Sequence, residues 1–311
     1  MRPRSCFPFI AVILLLNCIN AYSQNLGHKL PGLLGLDAGR IPEPGLYFVD
    51  RAVRFEAGEL RDRNGERLPT GPLDLVASAN SFGISYTTRI SSGTTFLTMT
   101  AGGPIARVKT NIPNRPEEDL DRFGIGDFYI QPVRLGWRKE HFELVTGYGI
   151  YLPTGRSILA GGSGTSSGNV THEFSGGASR DFADRTYFVT ALASYQLNMR
   201  QRGIDITRGD VFQIVGGAGT RLFGQLLETG LASYALWQVR DDRGTALPPV
   251  LRGLSDRVYG LGPEAAIFIK PIRGQVRVRY EWDRGVRSRP QGSILVVGLN
   301  LLIHAPKQPN P

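Results

Sequence analysis

The sequence predicts an all-β fold, a transmembrane antiparallel β-barrel of about twelve strands, of the bacterial outer-membrane type. Three observations predict it. Short segments of alternating apolar and polar residues recur from Leu46 to Ile303. The gaps between them alternate long and short, as they do when turns sit on one side of a bilayer and loops on the other. And no apolar stretch after residue 23 is long enough for a helix to cross a membrane, so strands are left to do it.

The strands follow in order. Strand one covers about Leu46 to Glu56, and the long loop Ala57 to Gly71 carries the turn signal Asn64-Gly65. Strand two, Leu73 to Arg89, and strand three, Thr95 to Val108, flank a tight turn at Ser91-Ser92-Gly93. A second long loop, Lys109 to Phe123, contains Pro113, Pro116 and the acids Glu117, Glu118 and Asp119. Strand four, Gly124 to Trp137, changes character at Pro132, where a bulge is expected. Strand five, His141 to Leu152, puts Phe142, Leu144, Tyr148 and Ile150 on the lipid face. The Gly/Ser-rich loop Pro153 to Asn169 reads as mobile. Strands six (Val170 to Phe182) and seven (Thr186 to Asn198) turn at Ala183-Asp184-Arg185. In strand seven, Tyr187 and Tyr195 occupy the positions of the two aromatic girdles.

Met199 to Gly209 is the next long connection. Strands eight (Asp210 to Phe223) and nine (Leu226 to Arg240) follow. After the loop Asp241 to Asp256 come strands ten (Arg257 to Lys270) and eleven (Gly274 to Arg284). A moderate loop, Gly285 to Gln291, leads to the last strand, Ser293 to Ile303. The even count lets both ends lie on one side of the membrane.

The ends divide the chain further. Arg2 and Arg4, the apolar run Phe7 to Leu16 and the small residues around Ala21-Tyr22-Ser23 read as a secretory signal peptide over 1–23. Residues 24–44, rich in Gly and Pro, read as a periplasmic lead-in or a segment inside the barrel. The barrel itself is expected over 45–304, with a tail at 305–311. Together these place the chain in the outer membrane of a Gram-negative bacterium, with outer-membrane lipid, lipopolysaccharide and the barrel-assembly machinery as partners.

Composition excludes several functions. Both cysteines, Cys6 and Cys18, lie in the leader, so the exported chain has neither a disulfide nor a thiolate metal ligand. The histidines His28, His141, His172 and His304 are scattered without zinc-ligand spacing, and no metal or other cofactor is expected. The net charge of +9 comes from arginines interspersed with acids rather than from a basic stripe with stacking aromatics, so nucleic acid is not an expected partner. The glycines of 161–168 lack the Lys-Ser/Thr ending of a phosphate loop. Asn169-Val170-Thr171 matches a glycan acceptor only in its short motif. A hydrolase would need a base beside a nucleophile. His172 faces lipid by parity while Ser175 and Ser179 face inward, and no Gly-x-Ser-x-Gly elbow exists, so no enzyme is predicted.

The inner face is the remaining place for function. Parity points Asp127, Gln131, Glu143, Glu173, Gln213, Glu228, Glu264, Gln275, Arg277, Arg279 and Glu281 into the lumen. Strand eleven is the clearest case, with Val276, Val278, Tyr280 and Trp282 on one face and Arg277, Arg279 and Glu281 on the other. Glu281, Asp283 and carboxylates of the neighbouring strand, Glu264 above all, are the expected counter-charges for the two arginines. Twelve strands fall between barrels filled by side chains and barrels that hold an aqueous channel, so the lining is compatible with a pore or with a sealed barrel.

The chain also resembles the outer-membrane proteins named for a putative meta-pathway of phenol degradation (MetA-type). The resemblance runs through Gly27-His28-Lys29-Leu30-Pro31-Gly32, Pro42-Glu43-Pro44-Gly45-Leu46-Tyr47-Phe48 and Gly124 to Pro132. It continues in Gly149-Ile150-Tyr151-Leu152-Pro153-Thr154-Gly155, Leu261-Gly262-Pro263-Glu264 and Arg289-Pro290-Gln291-Gly292. It implies an outer-membrane channel or facilitator for passive movement of small solutes, aromatic or hydrophobic compounds among them. The alternative is a structural or surface-binding barrel that transports nothing. One departure is the last strand, which ends Leu301-Leu302-Ile303 and continues into a tail, where such barrels often end on an aromatic residue.

Overall fold

The computed structural model describes residues 28, 31–69, 73–90, 93–111, 119–156 and 165–305. The expected signal peptide, the Ser91-Ser92 turn, Glu117 and Glu118, much of the Gly/Ser-rich loop and nearly all of the tail lie outside these residues. The strands are β1 (Gly45–Leu60), β2 (Asp74–Arg89), β3 (Thr95–Asn111), β4 (Leu120–Ile125), β5 (Phe128–Lys139), β6 (Phe142–Leu152) and β7 (Thr171–Phe182). They continue with β8 (Tyr187–Asn198), β9 (Val211–Leu222), β10 (Leu227–Gln238), β11 (Arg257–Ile269), β12 (Gly274–Arg287) and β13 (Pro290–His304).

All strands belong to one antiparallel sheet that closes on itself. β1 pairs with β13, Val53 opposite Val296, and with β2, Val53 opposite Ala79. Both β4 and β5 pair with β3, Ile105 opposite Ile125 and Gly102 opposite Tyr129. They are therefore two halves of one barrel strand, and the thirteen strands make twelve spans. Closure gives every strand except the short β4 a partner on both sides, so the backbone N–H and C=O groups of the spans find partners without water. A bilayer interior demands this of any structure that crosses it.

Polarity is inverted relative to a water-soluble fold. Phe82, Ile84, Phe174, Val189, Leu231, Leu261, Val278 and Trp282 are exposed on the outer face. Glu264, Arg279 and Glu281 are among the most deeply buried side chains. In β12 the alternation runs as the sequence predicts, with Val278, Tyr280 and Trp282 outside and Arg277, Arg279, Glu281 and Asp283 inside.

Two irregularities in the β4–β5 strand shape the interior. The chain breaks at Gly126-Asp127, where the Gly126 N–H bonds to the Pro104 carbonyl at 2.8 Å. A Cβ at Gly126 would lie 2.6 Å from the Pro104 ring, so glycine suits this close approach. The second lies at Pro132. The β5–β6 register shifts between Ile130 and Val133, and the β3–β5 register between Thr98 and Thr100. This is the bulge expected from sequence. It reverses parity, so that Gln131 is inside before it and Arg134 and Arg138 are inside after it.

Some expectations are corrected. The strand expected from Gly124 to Trp137 is interrupted rather than continuous, because its second half needs a new register. The loop expected over Gly285 to Gln291 shrinks to Ser288 and Arg289, because β12 and β13 extend past the apolar alternation that marks their cores. The described end of the Gly/Ser-rich loop is packed, not solvated: Ser166 and Ser167 are buried. Asn169 is buried too, with its amide nitrogen 2.9 Å from Thr171 Oγ1, which removes it as a glycan acceptor.

Candidate functional site: a plugged lumen

Residues 31–44 run inside the barrel. Glycines make the path possible. Gly32, Gly35 and Gly39 have φ of 78°, 50° and 73°, the left-handed region that other residues adopt at a cost. Gly35 opens a short 3-10 turn, Gly35–Asp37. A Cβ there would sit 1.9 Å from Glu264 Oε2 and 2.0 Å from Arg279 Nη1. A Cβ at Gly39 would strike the carbonyl oxygens of Ala178 and Ala191, at 2.4 and 2.5 Å. The segment thus lies against the wall as closely as backbone can. The glycine patch of β9 serves the same fit: Leu36, fully buried, packs where a Cβ on Gly217 would meet its Cδ2 at 2.7 Å.

The segment is docked by charge. The Leu36 N–H donates to both oxygens of Glu264, at 3.2 and 3.1 Å. Asp37 pairs with Arg277 at 2.6 Å and lies 3.7 Å from Arg51. Burial opposes the charge on Asp37, but Arg277, Arg51, Arg40 and Arg279 around it outweigh that and hold its carboxyl below the usual range. Arg40 pairs with Glu228 at 2.8 Å, its guanidinium 4.0 Å from the centre of the Phe188 ring. Near the short-turn end, the Ile41 N–H donates to Glu143 at 2.9 Å, and Arg138 donates to the Ile41 carbonyl at 2.7 Å. At the long-loop end His28 lies 2.7 Å from Asp127 and 2.6 Å from Thr171 Oγ1. The contacts run the length of the barrel along one side of its wall.

The residues that parity points inward all lie inside, in different company. Glu264, Arg277, Arg279 and Glu281 form one network. Glu264 receives both arginines, and Arg279 also donates to Glu281 at 2.7 Å. Glu228 links this network, through Arg277 at 3.5 Å, to Arg40 and to Arg221. Gln275 accepts from Arg277 at 3.2 Å. Glu143 holds Arg138 and the Ile41 amide. Asp127 belongs to the His28 cluster at the long-loop end. Glu173 accepts from Tyr129 and Gln196. Gln131 and Gln213 are buried in the wall and, among the described residues, join none of the charged contacts.

Several functional residues escape a reading by parity. Asp37 and Arg40 sit in a segment with no strand pattern, and only its glycine spacing hinted at a close fit. Arg134 and Arg138 are inside only because of the Pro132 bulge. His28 was one of four scattered histidines, and its partners Asp127, Ser167 and Thr171 are 99, 139 and 143 residues away. Ser167 Oγ is 3.0 Å from both ring nitrogens of His28 and 2.9 Å from the same Asp127 oxygen that His28 contacts. Acid, imidazole and hydroxyl close a triangle instead of a relay, which suits a tether and not the activation of a nucleophile. His172, as parity predicts, lies apart and bonds Tyr148 at 2.7 Å.

Docking on one side leaves space on the other. Between the segment and a wall formed mainly by β1–β3 and β5, with Tyr151, Glu173 and Leu192 of β6–β8 at its margin, lies a cavity of about 360 Å³. Much of its wall is small and apolar, with Val49 and Val53 of β1, Ala77 and Ala79 of β2 and Gly102 and Pro104 of β3 facing Leu33 and Leu34 of the segment, and Arg51, Asp127, Arg134 and Glu173 also reach it. The lumen is therefore divided into a side whose charges hold the segment and a side that keeps a largely apolar cavity.

The family model described as Putative MetA-pathway of phenol degradation matches residues 57–297. The chain belongs to this family. No curated protein matches it. Among solved structures this family member is similar to an outer membrane channel from Pseudomonas putida F1, at 10% identity and a TM-score of 0.74. The match covers 85% of this chain and 97% of the other, and it shows a shared fold. The beta domain of the Bordetella autotransporter BrkA has a TM-score of 0.44 at 11% identity, over 83% and 100% of the two chains. A FadL homologue from Pseudomonas aeruginosa has 0.41 at 8%, over 84% and 91%.

Proposed function

We propose that this protein is an outer-membrane channel of a Gram-negative bacterium that passes small solutes, with apolar and aromatic compounds favoured. The observation that carries the reading is the division of the lumen. A segment docked by charge fills one side of the lumen, and the space left is walled largely by valine, alanine, glycine and leucine, with Arg51, Arg134, Asp127 and Glu173 among the polar groups that reach it. A solute that prefers this space must tolerate apolar walls. Lipid and lipopolysaccharide contact the outer face in this reading, the barrel-assembly machinery inserts the chain, and the solute is the only small-molecule partner. No catalytic step is assigned. The family match and the fold shared with the Pseudomonas putida channel support the proposal.

A sealed barrel without transport is the second reading. The near-complete burial of Glu264, Arg279 and Glu281 favours it. Single-channel recording in planar bilayers separates the two. The channel reading expects small conductance steps in the full chain and a several-fold increase when residues 31–41 are deleted. Silence from both, with a correctly folded barrel, would leave the sealed barrel.

A further inference from the structure

Among the charged groups on the largely apolar cavity, one stands apart from any carboxylate. Arg134 of β5 lines it. The guanidinium donates to the Arg40 carbonyl at 3.0 Å. Among the described residues no carboxylate lies within 4 Å of it. Its luminal neighbours differ. Arg40, Arg138, Arg221, Arg277 and Arg279 each hold a carboxylate at 3.1 Å or closer. Asp37 and Glu143 act on Arg134 only from a distance. Arg51, the second cation on the cavity, gives hydrogen bonds to the Asp50 and Leu299 carbonyls, at 2.8 and 3.2 Å, and shares Asp37.

A guanidinium removed from bulk water without a counter-charge is costly, and its planar fork is shaped for a carboxylate. The two acids on the same cavity do not supply one. Asp127 accepts from His28 and from the Ser167 amide and hydroxyl. Glu173 accepts from Tyr129 at 3.3 Å and Gln196 at 2.8 Å. The rest of the space is mostly apolar, with Thr100 and Gln131 among its polar groups, and is of the size that takes a single ring.

We propose that this cavity is a binding subsite for a small organic anion with an apolar body, such as an aromatic monocarboxylate. The carboxylate sits on Arg134, and the body lies between Leu33 and Leu34 on one side and Val49, Val53 and Ala79 on the other. The inference deepens the channel reading and rests on it, since the subsite lies on the path that reading assigns. Arg134 gives such a channel a preference that apolar walls alone lack, for the anion over the alcohol of the same shape.

Equilibrium dialysis of benzoate and benzyl alcohol against the purified full-length protein in detergent tests it. Benzoate should bind saturably. Arg134→Gln should weaken benzoate tenfold or more and benzyl alcohol less than twofold, and Arg134→Lys should recover part of the loss. Ala79→Leu, which leaves Arg134 in place and fills the cavity, should reduce both ligands. This second variant keeps the test decisive if Arg134→Gln folds poorly. Benzoate binding that is absent, or that survives both Arg134→Gln and Ala79→Leu, overturns the proposal. A protein that conducts and does not bind benzoate loses the subsite and keeps the channel. One that binds benzoate and never conducts loses the channel and keeps the subsite.

Discussion

The Asp37 carboxylate lies 2.6 Å from the Arg277 guanidinium, across 240 residues of sequence. This contact joins the luminal segment to β12, and through Arg277 it reaches Glu264 and Glu228 as well. Segment and wall are thus parts of one charge network. What disturbs one is felt in the other.

Docking should therefore depend on pH in a definite direction. The carboxyl of Asp37 titrates below its ordinary value because four arginines surround it. A depressed pKa stabilises the docked state wherever the free group would already be ionised, and that contribution is lost as pH falls through the depressed value. The segment should stay docked from neutral pH down to about 4, near the unperturbed carboxyl value, and loosen below it. Channel conductance between pH 7 and 3 reads this out. An increase that appears between pH 7 and 5 would assign the switch to another group.

Gly35 offers a steric test of the same docking. Alanine there would place a carbon 1.9 Å from Glu264 Oε2 in a left-handed backbone, so the segment must lift from the wall. Gly35→Ala should leave heat-modifiable gel migration unchanged and make residues 31–41 accessible to added protease. Gly224→Ala is the control. It has a φ of 63° with open space around it, and should cost only about 1 kcal/mol of backbone strain. Equal protease resistance in both variants would show that the segment is not seated by this contact.

Val278 and Arg277 are neighbours on opposite faces of β12. Val278→Arg puts a cation against lipid, at roughly 2–4 kcal/mol near the bilayer midplane. A reading by parity alone treats Arg277→Val as mild. The structure changes that expectation, since it leaves Asp37, Glu264 and Glu228 without a shared partner inside the barrel. Breaking buried ion pairs costs about 3–5 kcal/mol. Both variants should fold less well by heat-modifiable migration, and Arg277→Val should also release the segment to protease. A fully stable Arg277→Val with a docked segment would contradict the network.

The sequence by itself determined the barrel, its twelve spans and the inward or outward direction of most side chains. The physical reason is that a strand has a period of two and lipid tolerates only one kind of face. Arg277, Arg279, Glu281 and Glu264 were legible for that reason, and so was the bulge at Pro132, because proline cannot donate to the ladder. Only the tertiary structure decided where residues 31–44 go. Their docking depends on single contacts such as Leu36 to Glu264 and His28 to Asp127, between groups far apart in sequence, and no periodic pattern encodes a contact made once. The same holds for Arg134. Its inward turn could be inferred from the bulge, but its lack of a carboxylate partner follows from where the luminal segment comes to rest.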